Sequence, residues 1–395
     1  MRWGLIVLLG CASGLSAFGM ASVVPVLPLL GRALAAPFSE IQFVVSAYLL
    51  GLGLCQPIQG LLCDRFGRRP VLLVGFAVFC FGSIVAASVS SLAALIAARF
   101  LQAAGASVAT VVTRAIVRDS FEPEPAAVAL AFITAVMGLS PVFAPLAGAL
   151  VADAFGWRSV FWMHAVIACS LLLWMSLSLR ETRPKTTAGL TLVELLRGFG
   201  VLLRERSFLG YSFTYAFVSG ASFVFVTVGA ALFDRLFGIS PTRFGALWAG
   251  LAVAYMLGAA ATGTVARRLG SARVLRFGVR LEMLGAVLLC GVALLPTPQL
   301  WLYMLGLALL MAANGVVSPL ALAGAVSGRP ELAGIASGAS SAIAMLVSML
   351  CAITAGILFN GEGLRIGVLL LICCALAMVA ARMALTASVP QGRRT

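Results

Sequence analysis

The chain has 395 residues, of which 62% are hydrophobic and only 10% charged, at a mean hydropathy of +1.10. A soluble domain carries roughly 25% charged residues and its core stops growing near about 300 residues, so a water-soluble chain and a disordered one are both excluded. The 27 basic against 13 acidic side chains fall in short clusters between uncharged runs, which excludes a basic domain that tracks nucleic acid.

A helix that crosses a bilayer needs roughly 20 apolar residues. The run from Trp3 to Gly31 exceeds the roughly 7–15-residue core of a signal peptide and reads as the first span. Uncharged runs and their breaks predict twelve helices over 4–30, 41–62, 70–88, 92–114, 126–151, 158–179, 208–232, 243–265, 275–295, 299–325, 332–358 and 364–384. Ser88-Val89-Ser90-Ser91 separates the third from the fourth, and Pro296-Thr297-Pro298-Gln299 the ninth from the tenth. The one long connection is charged and divides the chain into an N-terminal six-helix bundle (1–180), a cytoplasmic linker (181–207) and a C-terminal six-helix bundle (208–395). Within the linker, Leu190 to Leu203 reads as a short amphipathic helix at the membrane interface. Placing the N-terminus inside puts 21 Lys and Arg on the cytoplasmic side and 5 outside, so both termini are expected in the cytoplasm. The nine cysteines lie almost entirely in apolar segments and read as small buried hydrophobes.

Two stretches repeat. Gly60–Gly75 and Gly263–Gly278 align without a gap, identical at 60/263, 65/268, 67/270, 71/274, 72/275 and 75/278, between the second and third helix of each half. Such a duplication within one membrane predicts alternating access.

Three local patterns carry chemistry. The first loop reads Gly60-x-x-x-Asp64-Arg65-x-Gly67-Arg68-Arg69. Glycine at 60 permits close helix approach and at 67 a tight turn, while Asp64 can complement a positive helix end. In the fourth helix, Arg99, Gln102 and Gly105 precede Arg114-x-x-x-Arg118-Asp119. The fifth helix holds Gly138, Pro141, Pro145 and Gly148. Together these resemble the major facilitator superfamily, in particular its drug:proton antiporter branch, nearest the bicyclomycin and chloramphenicol resistance exporters.

The resemblance implies an all-α membrane protein with twelve transmembrane helices in two pseudo-symmetric six-helix bundles. It also implies a multi-pass location in a bacterial inner membrane, a small-molecule substrate, protons as coupling ion, no cofactor and a monomer among lipids. The first loop is then a cytoplasmic latch. The fifth-helix motif implies export, its small residues packing against a helix of the other half and its prolines bending the span. For Arg99 two readings stand open: a side chain that snorkels to the outer face, or a buried cation that pairs with a protonatable or anionic partner.

The chain also departs from its look-alikes. They carry an aspartate in the first helix shortly before Pro-x-x-Pro; here Pro25 and Pro28 remain, but Ala21 stands at that place beside Met20. The remaining coupling candidates are His164, open to titration if hydrated or else a packing histidine, and Glu282, for which a pairing with Arg280 or Arg276 is the plainer account. Tyr215, Tyr255 and Asn314 are candidate substrate contacts. The leading expectation is a secondary active exporter of small amphipathic compounds; the alternative is a uniporter or symporter for a small neutral or anionic metabolite. No nucleotide loop is present and His164 is the sole histidine, so neither an enzyme nor a metal site is expected.

Overall fold

The structure, a computed structural model, describes residues 3–183 and 192–387. Leu190, which opens the predicted amphipathic stretch, and four of the basic residues used for orientation, Arg2, Lys185, Arg393 and Arg394, lie outside these. All regular structure among the described residues is helical. In chain order the long helices are α1 (Trp3–Ala21), α2 (Phe43–Phe66), α3 (Arg68–Ser88), α4 (Leu92–Ser120), α5 (Pro123–Phe155) and α6 (Arg158–Ser178). After the short helix Leu192–Leu202 come α7 (Arg206–Phe237), α8 (Pro241–Leu269), α9 (Ser271–Val292), α10 (Leu300–Ser327), α11 (Ala333–Leu358) and α12 (Gly363–Ala387). Eleven are long and apolar enough to cross a membrane. The twelfth, α9, is 22 residues long and is set apart only by Arg273, Arg276, Arg280 and Glu282. The fourth helix runs to Ser120, past the predicted end at 114, because Arg114 and Arg118 are exposed and extend it beyond its apolar part.

Two compact units divide the chain: Met1–Leu192 with Ser240–Ala249, and Val193–Ile239 with Gly250–Thr395. In the first, α1 packs on α5, α4 on α2 and α3, and α3 on α6; in the second, α7 packs on α11 and α12, and α9 on α10 and α12. The short helix Leu192–Leu202 turns Leu195, Phe199 and Leu202 onto Phe208, Ile335 and Ala336 of the second unit, and leaves Val193, Leu196 and Val201 exposed.

The repeat seen in the sequence is a repeat of backbone geometry. Gly67 and Gly270, aligned partners, have φ of 98° and 83° and immediately precede α3 and α9. Positive φ at these positions is what favours glycine. The same register pairs Ala35 with Gly238, at φ 50° and 62°. Glycine also sets helix spacing. A Cβ on Gly105 of α4 would lie 2.5 Å from the Gly75 carbonyl of α3, and one on Gly285 of α9 2.8 Å from the Gly306 carbonyl of α10. With apolar lipid outside, helices gain little from hydrophobic burial, and such close backbone contact supplies the attraction instead. The exposed apolar side chains form stripes at helical spacing, such as Trp162, Val166, Leu173 and Leu177 on α6 and Phe277, Leu284 and Val287 on α9, surfaces suited to acyl chains and not to water.

Adding a methyl at the α3–α4 seam overpacks it. Gly105→Ala is expected to lose about 1–3 kcal/mol, read as a lower midpoint of thermal unfolding in detergent. Gly138→Ala in α5, whose Cβ meets nothing within 4 Å, leaves the midpoint unchanged.

Candidate functional site

Polar chemistry in the first unit gathers at two levels. At the α2–α3 turn, Arg68 is 2% exposed and donates to Asp64 Oδ1 at 2.7 Å, Asp119 Oδ2 at 3.0 Å and the Cys63 carbonyl at 2.7 Å. The signature loop thus closes on the end of α4 through Asp119. Glu181, just beyond α6, completes the group: its carboxylate accepts the backbone N–H of Arg68 at 2.9 Å and of Arg69 at 3.1 Å, and so caps the positive start of α3. A Cβ on Gly67 would lie 2.6 Å from Glu181 Oε2, so a side chain there would displace the capping carboxylate, while the positive φ favours glycine by itself. Arg69 Nη2 donates to the Ser176 carbonyl at 2.8 Å and Arg183 Nη1 to the Arg65 carbonyl at 2.7 Å, which ties the end of α6 to the same turn. Arg65, Arg114 and Arg118 are exposed, and Gly60 has Val111 4.0 Å from its Cβ position.

Partial burial by itself raises the Glu181 carboxyl, but the backbone N–H groups of Arg183, Arg68, Arg69 and Thr182 outweigh it and hold the group below the usual carboxylate range. In the repeat, Arg267 and Ser271 stand where Asp64 and Arg68 do. The turn geometry is duplicated there and the charge cluster is not.

Deeper in the unit, Arg99 does not snorkel: it is 0% exposed. Its guanidinium lies 4.1 Å from the Tyr48 ring centroid. It donates from Nη1 to the Gly19 carbonyl at 3.0 Å and Gln102 Oε1 at 2.8 Å, and from Nε to the Val44 carbonyl at 3.3 Å. Local sequence makes the Gly19 acceptor available. Pro25 cannot continue α1, the helix ends at Ala21, and the Val23 N–H bonds to the Met20 carbonyl at 3.3 Å instead of reaching back to Gly19. Gln102 passes the network on from Nε2 to Ser83 Oγ at 2.6 Å, and Tyr48 is fixed through its hydroxyl to the Ser16 carbonyl at 2.9 Å.

His164 adjoins this group and is also enclosed, at 0% exposure. Ser22 Oγ donates to the Phe18 carbonyl at 2.8 Å and lies 2.7 Å from His164 Nε2. Nε2–H is therefore the donor to Ser22, and Nδ1 is left with no partner. The rings of Phe18, Phe79 and Phe161 stand around the imidazole at 5.9–6.2 Å. Met20 is buried and Ala21 half-buried at the same break. The α5 motif meets the break too: a Cβ on Gly148 would strike the Ser22 carbonyl at 2.0 Å, and Ser140 Oγ donates to the Gly14 carbonyl at 3.0 Å. Gly148 packs against α1 of its own unit, and the same stretch meets α8, where a Cβ on Gly245 would lie 3.0 Å from Leu146 Cα. Pro145 is buried, and α5 runs as one helix from Pro123 to Phe155 through Pro141 and Pro145.

In the second unit Asn314 donates from Nδ2 to Ser222 Oγ at 2.5 Å and to the Val218 carbonyl at 3.4 Å, while Ser318 Oγ donates to Asn314 Oδ1 at 2.5 Å. This amide joins α10 to α7. Tyr215 packs against the core around Val218 and Val317, and the Tyr255 carbonyl faces Gly315, 2.1 Å from its Cβ position. Glu282 is 0% exposed, and it pairs with neither Arg280 nor Arg276: both carboxyl oxygens lack a hydrogen-bond partner. The sequence reading missed Glu181, Ser22, Tyr48 and Ser83. Glu181 acts on a residue 113 positions earlier in the chain, a distance no local pattern signals.

Because the Glu181 carboxyl is held low, its stabilisation is complete above the usual carboxylate range and is lost as pH falls below it. Glu181→Gln is expected to cost about 1 kcal/mol at neutral pH, a capping value for a group partly open to solvent, and to flatten the acid limb of a melting-temperature-against-pH curve. Asp119→Asn removes one of the two carboxylates on the buried Arg68 and costs more, about 1.5–3 kcal/mol, in the same measurement.

Comparison with known proteins accords with this arrangement. The family model described as Major Facilitator Superfamily matches residues 9–352. A bicyclomycin resistance protein homolog of Haemophilus influenzae is 26% identical over 333 residues, covering 84% of this chain and 83% of the relative. A chloramphenicol resistance protein of Pseudomonas aeruginosa is 36% identical over 278 residues, covering 70% and 65%. Among solved structures, a D-xylose-proton symporter superposes with a TM-score of 0.80 at 15% identity over 98% of both chains. The fold, the repeated turns and the loop that Arg68 closes thus belong to a secondary transporter that works by alternating access, a member of the Major Facilitator Superfamily related to the bicyclomycin and chloramphenicol resistance proteins.

Proposed function

We propose that the protein exports small amphipathic compounds, phenicol-like antibiotics among them, in exchange for protons across a bacterial inner membrane, with both termini in the cytoplasm. The observation that carries the reading is Arg99. It is a fully buried cation held by carbonyl oxygens, an amide and a π face, and among the described residues no carboxylate pairs with it. Among the described residues no buried acid lies in the first unit, so none offsets the desolvation of a cationic drug there. Arg99 Nη2 has no partner and suits a carbonyl, nitro or hydroxyl oxygen of a neutral or weakly anionic compound. The names of the two relatives point to the same substrate class, and the small-residue motif of α5 supports outward transport.

The test is uptake of chloramphenicol into proteoliposomes with an acidic interior, beside a cationic dye. Chloramphenicol is expected to accumulate until a protonophore is added, and the dye is not. Arg99→Lys, which loses the planar fork of donors, is expected to slow chloramphenicol uptake by about tenfold or more. Counterflow that ignores the pH gradient would sink proton exchange. Transport of the dye in preference to chloramphenicol would sink the substrate class.

A further inference from the structure

Glu282 lies in the interior of α9, the one buried acid among the described residues, and neither of its carboxyl oxygens receives a hydrogen bond. Packing places α9 against α10 and α12. From α12 the nearby titratable groups are Cys373 and Cys374, the latter with its thiol 3.8 Å from the Glu282 backbone carbonyl. Cys351 of α11 lies one step further, its sulfur 3.7 Å from that of Cys373. Tyr303 is the only titratable side chain of α10. The charged residues of α12, Arg365 and Arg382, form no ion pair with Glu282. On α9 itself Arg273, Arg276 and Arg280 are exposed, and Arg280, two positions back, points away from Glu282 on the helical wheel.

Thiols neither neutralise a carboxylate nor donate strongly to one. A bare anion here is therefore far more costly than the neutral acid, and a bound proton removes that cost. Packing does not call for an acid. In the register that aligns Gly67 with Gly270, Glu282 corresponds to Phe79, a fully buried apolar side chain against His164 in the first unit. The fold accepts a hydrophobe at this position in one half and carries an ionisable group in the other. An ionisable group in that setting marks a proton or ion path by default.

We infer that Glu282 is the proton-binding carboxyl of the transport cycle: it holds a proton while enclosed by α9, α10 and α12, and releases it in the state that admits water. This role rests on the proton-exchange reading above, and it replaces the first-helix aspartate whose place Ala21 occupies.

The test uses full-length protein in proteoliposomes loaded with a pH-sensitive dye, with chloramphenicol as probe and Glu282→Gln and Glu282→Asp as variants. Glu282→Gln is expected to lose both gradient-driven accumulation and chloramphenicol-triggered proton movement while it continues counterflow. Glu282→Asp is expected to regain part of both. If wild type couples to the gradient and Glu282→Gln couples equally well, this assignment falls and the proposed function stands. If wild type itself ignores the gradient, the proposed function falls and this role falls with it. An infrared measurement does not depend on how the Gln variant folds: wild type at neutral pH is expected to show a protonated-carboxyl band that Glu282→Asp displaces, and its absence overturns the assignment.

Discussion

A guanidinium enclosed in an apolar interior must be met by oxygen atoms, and Arg99 is met where proline interrupts α1. The break ends the helix at Ala21, diverts the Val23 amide to Met20 and leaves the Gly19 carbonyl for Arg99. Helix α2 supplies the Val44 carbonyl and the Tyr48 face, and Gln102 and Ser83 carry the network to α3. The packing of α5 is shaped to the same feature, since only glycine at 148 clears the Ser22 carbonyl. Irregular backbone is tolerated at membrane depth where protein satisfies it. Here one side chain and one break satisfy each other.

The two halves share a backbone plan and differ in where charge is placed. Positive φ at Gly67 and Gly270, and glycine seams between α3 and α4 and between α9 and α10, survive the duplication. The first half then holds cations inside, Arg68 with two acids and Arg99 with none. The second holds an acid with no cation. Alternating access asks for two similar mechanical units; it does not ask that both carry the same ionisable groups.

Much of this was legible in residue order. Apolar run lengths and the Ser and Pro breaks located the spans, because the bilayer makes length and hydropathy decisive. The repeat was legible because Gly67 and Gly270 both stand where φ is positive and Gly60 and Gly75 recur as Gly263 and Gly278. The site was legible only in its members. Arg68 joins Asp64 four residues away, a spacing a sequence reveals, but its second acid, Asp119, comes from another helix end. The burial of Arg99 depended on carbonyls, which no side-chain pattern advertises. For Glu282 a pairing with Arg280 or Arg276 was the plainer account from sequence, yet both carboxyl oxygens lack a partner and helical geometry sends Arg280 to the opposite side. Charge by itself also misled at the fourth helix, which continues through Arg114 and Arg118 to Ser120.

The cap on α3 has a consequence for how the chain is made. Arg68 and Arg69 are made before their amides can be capped, because the carboxylate that receives them belongs to Glu181, beyond α6. Synthesis must deliver α3 to α6 before that acid emerges. Until then the turn at Gly67 is held by its own N–H on the Cys63 carbonyl and by the links Arg68 makes to α2 and α4. Glu181 therefore seals the start of α3 only once α6, which it follows, has been made.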